Sequence, residues 1–423
     1  MGEYELKCPV CRATVPDHYT NECPEKCSGL ILAEYKEKQF IPKGLPGMFR
    51  YHNWLPVEGY RDVKTGPATY KSKALAEKLG LKNLYICFNG YWPEKDAWIK
   101  TCSFKELEAV PTMLRMEEKG SGILQISSAG NTGRAFCEVS ADTGVPVIVV
   151  VPKYATESIW TTKPAEDVFL ITIDGDYTDA IEFGNKLCQM EGIIPEGGAK
   201  NPARRDGMGT TLLSGFEAAG MIPDWYFQAV GSGTGAIAAW EMSKRLVSDG
   251  RFKDRLPRLY LSQNIPFIPM VSAWNAKRRE IIEDVDMPDA KNSAMSVYAT
   301  VLTNRHPPYS TKGGLFDALT ETNGIMEGIE SKRAEEAAEI FEKLEGADTD
   351  PAAAVCVASL IDAATKGVVK PDDVILLNIT GGGYKRADLD FEKIIVEPKV
   401  SLPAGSDTGV IKDELVKWMS NYA

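Results

Sequence analysis

Six short runs of continuous apolar residues, each set among helical patterns, constrain this 423-residue chain more than any other feature. They are "NLYICF" (83–88), "ILQIS" (123–127), "VPVIVVV" (145–151), "VFLITI" (168–173), "WYFQAV" (225–230) and "VILLNI" (374–379). A strand with one wet face alternates apolar and polar residues. These runs do not alternate, so both of their faces must be covered. Strands of that kind separated by helices pair in parallel, and the expected fold class is α/β with doubly wound sheets. Helical periodicity covers roughly 105–119, 177–191 and 331–344. The last of these puts Ala334, Ala337, Ala338, Phe341 and Leu344 on one face. The longest apolar run, 145–151, is far too short to cross a bilayer.

Length predicts two or more domains. The net charge of −11 makes the overall field repel nucleic acid and anionic membranes, so neither is an expected partner. An anionic substrate would need a local positive pocket against that background. No basic segment followed by an apolar run opens the sequence, and a cytoplasmic protein is expected.

Four of the nine cysteines fall in the first 27 residues, as Cys8-x2-Cys11 and Cys23-x3-Cys27. Two close pairs can form the two knuckles of a tetrahedral thiolate site. Residues 1–40 are therefore expected to form a ribbon-like module holding zinc, with a reduced, metal-free ribbon as the alternative. The other five cysteines are scattered through apparent core and give no disulfide framework.

Three strand ends carry glycine-rich turns. "ISSAGNTGRAF" (126–136) crowds Ser127, Ser128, Gly130, Asn131, Thr132 and Gly133 between a strand and a helix. Capping a helix needs one such residue, and several with two glycines suit a cradle for a carboxylate. "AVGSGTGAIA" (229–238) alternates Gly231, Gly233 and Gly235 with Ser232 and Thr234, a nest of amides for an anion. It fits neither the P-loop nor the dinucleotide spacing, which disfavours a nicotinamide cofactor. "NITGGGYKR" (378–386) sets Thr380 ahead of three glycines, where a hydroxyl could face a ring nitrogen.

Taken in order, "SFKE", "SSAGNTG", "NPARRDG", "GSGTG", "DPAAAV" and "TGGGYK" resemble the motifs of the fold-type II pyridoxal-phosphate enzymes, threonine synthase among them. The resemblance spans roughly 70–423, and the cysteine module resembles the ribbon-like start of archaeal-type members. Several positions depart from threonine synthase. "WIKTC" replaces Asn-Pro-Thr-Gly, Glu106-Leu107 replaces Asp-Arg, Gly382 replaces a histidine, and "NRHPPYSTKGG" replaces an Arg-x-Gly-Asn-Pro segment. These departures resemble the branch that converts O-phospho-L-serine and sulfite to L-cysteate and phosphate in the coenzyme M biosynthesis of methanogens.

The resemblance implies two α/β domains with the cofactor between them. Residues 41–120 and 215–423 would form the large cofactor-binding domain, and 121–214 a small mobile one. Lys105 would be the Schiff-base lysine and proton shuttle. Asn131 would lie beside the cofactor's ring hydroxyl, Gly231, Ser232, Gly233, Thr234 and Gly235 would hold its phosphate, and Thr380 would meet its pyridine nitrogen. Ser127, Ser128, Gly130 and Thr132 would bind the substrate carboxylate and Arg204 its phosphate. Arg205 and Lys100 read as surface charges, and His18, His52 and His306 lie outside the matched catalytic motifs. A homo-oligomer is implied. The alternatives are a threonine synthase acting on O-phospho-L-homoserine, an enzyme making cysteine from phosphoserine and sulfide, and a non-catalytic binding protein of the same fold.

Overall fold

A computed structural model describes residues 3–252 and 254–422. All six apolar runs are strands, and they fall into two sheets. The six-stranded sheet runs, edge to edge, Ile325–Ile329, Arg258–Asn264, Trp225–Ala229, Val374–Ile379, Asn83–Phe88 and Ala68–Lys71. Every pair is parallel except the last, where Ala68–Lys71 is antiparallel at the edge. The five-stranded sheet, Ile193–Pro195, Ile123–Ser127, Val147–Pro152, Val168–Asp174 and Val400–Pro403, is parallel throughout. Val147–Pro152 is buried at every residue, as its unbroken apolar run requires.

The winding of the larger sheet positions the site. From Trp225–Ala229 the chain steps outward to Arg258–Asn264 and Ile325–Ile329. It then returns to insert Val374–Ile379 between Trp225–Ala229 and Asn83–Phe88. A crevice opens at the carboxyl ends of strands where the order reverses. The turns 231–235 and 380–383 follow these two neighbouring strands and share that end of the sheet.

Two helices join the sheets. Lys105–Lys119 packs its Leu107, Val110 and Met113 with Leu124, Ile126 and Val149 of the smaller sheet. Pro202–Ala219 crosses it. Pro111 has no N–H to offer the Leu107 carbonyl, and the chain approaches that oxygen so closely at Gly207 that a Cβ there would lie 1.9 Å from it. Farther along, a Cβ on Gly215 would strike Leu376 of the six-stranded sheet. Leu212, Leu213 and Phe216 share a core with Tyr226 and Leu376. The expected domain boundary at 214 thus falls inside one helix, which packs on the larger sheet.

A second difference lies at the C-terminus. Val400–Pro403 pairs with Val168–Asp174, and Leu415 and Trp418 of the Lys412–Met419 helix pack with Phe169 and Phe183. This segment therefore belongs to the smaller sheet, not with the rest of 215–423. The N-terminal module is a three-stranded antiparallel sheet of Thr14–Val15, Tyr4–Lys7 and Leu32–Tyr35. No described helix is long and apolar enough to cross a membrane.

Candidate active site

Lys105 is the first residue of its helix and reaches it through a stitched turn. Phe104 donates its N–H to the Thr380 carbonyl at 2.9 Å, and Gly382 donates to the Cys102 carbonyl at 3.0 Å. Ser103 bridges Gly381. The lysine turn and the third glycine turn are thus one unit. A Cβ on Gly235 would come 3.0 Å from the Phe104 ring, so the second glycine turn closes against the same residue.

The Lys105 amine lies 3.2 Å from Glu108 Oε2, one helical turn on. Burial lowers the pKa of Lys105, Glu108 opposes that, and the Arg204 charge adds to it. Glu108 is fully buried, and its other oxygen accepts from Thr132 Oγ1 and lies 3.0 Å from Arg204 Nη2. Arg204 Nη1 meets Glu196 at 2.8 Å. Burial works against the Arg204 charge, but Glu108 and Glu196 more than offset this and raise its pKa. Lys105, Thr132 and Arg204, taken from three separate motifs, therefore converge on Glu108. The motifs did not point to Glu108 or Glu196. Glu108 does interrupt an otherwise apolar stretch three residues after the lysine.

The loop residues divide. Ser128 Oγ accepts from the amides of Gly130 and Gly133 at 3.2 and 2.8 Å and so caps the Asn131–Thr143 helix. Asn131 Oδ1 accepts from Arg134, whose guanidinium also binds the Thr101 and Ser158 carbonyls and the Tyr384 hydroxyl. Ser127 Oγ donates to the Ala180 carbonyl and accepts from Gln125, so it is engaged toward the Tyr177–Leu187 helix. Successive residues of a strand face opposite ways, which separates Ser127 from Ser128.

In the second turn, Gly233 has φ 78° and hands the chain to the Thr234–Ser248 helix. Ser232 Oγ accepts from the Thr234 amide. The first amides of a helix lack partners within it and suit a phosphate. Side chains at Gly231 and Gly235 would press on Leu302, Gln228 and Phe104, so the cradle stays open only with glycine.

The Oγ1 of Thr380 is buried and has no hydrogen-bond partner among the described residues. A buried unpaired hydroxyl costs free energy unless something completes it, and a pyridine nitrogen would. With the lysine turn and the amide cradle, this unpaired group fits pyridoxal phosphate.

The charges expected at the surface behave differently from one another. Arg205 is buried, bonded to Glu241 and to the carbonyls of Ala199 and Ile31. Lys100 pairs with Glu138 and Asp142. His18 and His306 are exposed, and His52 bonds the Gly59 carbonyl.

In the N-terminal module the sulfurs of Cys8, Cys11, Cys23 and Cys27 all lie within 4.8 Å of one another. Zinc at about 2.3 Å from each of four sulfurs gives a tetrahedron with edges of about 3.8 Å. Cys11 and Cys23 sulfurs are 3.7 Å apart. The module also reaches the site. Asp17 and Asn21 hold Arg115 of the Lys105 helix, and Tyr19 donates to the Glu196 carbonyl.

Comparison with known proteins agrees with this geometry. The pyridoxal-phosphate dependent enzyme family matches residues 69–381. The cysteate synthase of Methanoculleus marisnigri is 55% identical over 99% of this chain and 97% of its own. That of Methanospirillum hungatei is 55% identical over the whole of both. Among solved structures, maize serine racemase superposes with a TM-score of 0.58 at 13% identity, covering 84% of this chain and 93% of its own. The expected fold class, cofactor and resemblance are borne out. The chain belongs to the pyridoxal-phosphate dependent enzymes, among relatives named cysteate synthase.

Proposed function

We propose that this enzyme converts O-phospho-L-serine and sulfite to L-cysteate and phosphate. The observation that carries the proposal is the convergence of Lys105, Thr132 and Arg204 on Glu108, on a helix whose preceding residue Phe104 is bonded to Thr380, the residue with the unpaired hydroxyl. The full-length similarity to cysteate synthases supports the choice of substrates.

Bound pyridoxal phosphate supplies an electron sink for the substrate Cα. Lys105 would hold it covalently, the amides of Gly231–Gly235 would hold its phosphate, Asn131 would serve its ring hydroxyl, and Thr380 Oγ1 would pair with its ring nitrogen. A hydroxyl partner would leave that nitrogen unprotonated, which suits replacement at Cβ over transamination. The freed Lys105 amine takes the Cα proton at Nζ, and burial favours its unprotonated form. The Cβ–O bond breaks and phosphate leaves. Sulfite sulfur then bonds Cβ, and Nζ returns the proton to Cα.

Ser128, Gly130 and Thr132 cradle the substrate carboxylate, with Ser127 supporting the loop from behind. Arg204 exchanges a carboxylate partner for the substrate's phosphate, as its forked guanidinium suits. The loop of the smaller sheet closes over the substrate and excludes water. The four cysteines hold zinc as a structural ion. The protein works in the cytoplasm as a homo-oligomer.

The test is product identification. Incubation with O-phospho-L-serine and sulfite should yield L-cysteate by mass spectrometry. Threonine from O-phospho-L-homoserine, with no L-cysteate, would assign the site to the alternative reaction.

A further inference from the structure

The catalytic and ligand-binding roles above concern groups that touch substrate or cofactor. Glu108 touches neither, yet no carboxylate in the site is more enclosed. It is fully buried, and each of its oxygens is bonded. A buried carboxylate is tolerated only when paired. Here Arg204 is shared between Glu108 and Glu196, and the Lys105 amine sits against the other Glu108 oxygen.

We infer that Glu108 is the positioning residue of the Lys105 amine and ties that amine to the seating of the substrate loop. The inference rests on Lys105 being the reacting lysine. One oxygen holds Nζ. The other is shared by Thr132, in the first turn of the Asn131–Thr143 helix into which the substrate loop leads, and Arg204 of the Pro202–Ala219 helix. A lysine on a flexible four-carbon stem is a poor base unless something aims it. Glu108 is rigid because three donors from three elements hold it. Withdrawal of the loop removes the Thr132 bond and loosens the carboxylate that aims the amine. The ionisable groups that act on Lys105 are Glu108, Arg204 and Glu196, and Tyr177 lies against the same acids and arginine. Of these, Glu108 bonds the amine directly and favours its charged form.

The experiment compares Glu108→Gln and Glu108→Asp with the unmodified enzyme. Glutamine keeps an oxygen for Thr132 and Arg204 but removes the charge beside Nζ. Aspartate keeps the charge and shortens the reach. Two readings are taken against pH: kcat and KM for phosphate release from O-phospho-L-serine with sulfite, and the rate at which cofactor-stripped protein regains visible absorbance when pyridoxal phosphate is added. Glu108→Gln should lose kcat by roughly 10- to 100-fold with little change in KM. The acid limbs of kcat and of cofactor recapture should both move to lower pH, because the amine then loses its proton more easily. Glu108→Asp should return both limbs toward their original position even where kcat stays low. Acid limbs that coincide in the unmodified and Glu108→Gln proteins would overturn the inference, whatever happens to kcat. If the unmodified enzyme releases no phosphate from O-phospho-L-serine, the proposed reaction fails, and the recapture rates still decide the role of Glu108.

Discussion

Phe104 gives its backbone N–H to the carbonyl of Thr380 at 2.9 Å, so the residue before Lys105 is fixed to the residue whose hydroxyl stands unpaired. The lysine and the ring-nitrogen partner cannot move independently. That bond uses only the backbone of Thr380, which makes its side chain a clean target. Thr380→Val should leave the stability of cofactor-stripped protein unchanged or slightly higher, since a buried unpaired hydroxyl is removed. It should weaken cofactor retention by about 3- to 10-fold, the worth of one hydrogen bond. Thr380→Ser should retain the cofactor normally. Equilibrium dialysis against pyridoxal phosphate measures both.

Asp350 caps the Pro351–Thr365 helix by accepting from the Ala353 amide, and it is buried beside Gly381. Burial pushes its pKa up to about 6, although the Ala353 amide and the Arg134 charge pull the other way. The folded state thus favours the neutral acid. The group costs nothing below the unfolded pKa, and its cost grows as pH rises through about 6. Asparagine caps a helix as well and carries no charge. Asp350→Asn should match the native protein near pH 4 and exceed its stability above about pH 6, by at most about 3 kcal/mol. Denaturant titrations at several pH values check this. A difference that does not vary with pH would contradict it.

Arg115 is fully buried and held by both oxygens of Asp17 across the module boundary. Asp17→Ala leaves that charge enclosed without its anion. The expected loss is about 3–5 kcal/mol of stability, the usual result of breaking a buried pair from one side. Differential scanning calorimetry should show it as a lower Tm.

The cysteine module predicts about one zinc per chain by elemental analysis. Cys11→Ser should lower that stoichiometry and the Tm together. Because Tyr19 and Asp17 link the module to Glu196 and Arg115, activity should fall with it. A Cys11→Ser protein with unchanged metal content would contradict the four-thiolate site.

The parts of this molecule that sequence makes legible are local. Each glycine turn, and Lys105 at its helix start, is written within a dozen residues. Unbroken apolar runs reveal strands because both their faces are dry. Val400–Pro403 escapes notice because it is an edge strand that is only half-buried, and so has no such run. Arg205 reads as a surface charge until a separate module is known to dock on it. Glu108 matters through helical phasing and through partners 24 and 96 residues away, Thr132 and Arg204. No window of sequence contains those distances. The boundary expected at 214 falls inside the Pro202–Ala219 helix, which continues onto the larger sheet with no composition shift to mark it.

Phosphate release from O-phospho-L-serine, with and without sulfite, tests the central claim most directly. The measurement is made on the protein loaded with pyridoxal phosphate and on Lys105→Ala, with O-phospho-L-homoserine in parallel. The account predicts fast, sulfite-dependent release from O-phospho-L-serine that disappears in the variant. Release from O-phospho-L-homoserine alone, or release that persists in Lys105→Ala, would contradict it.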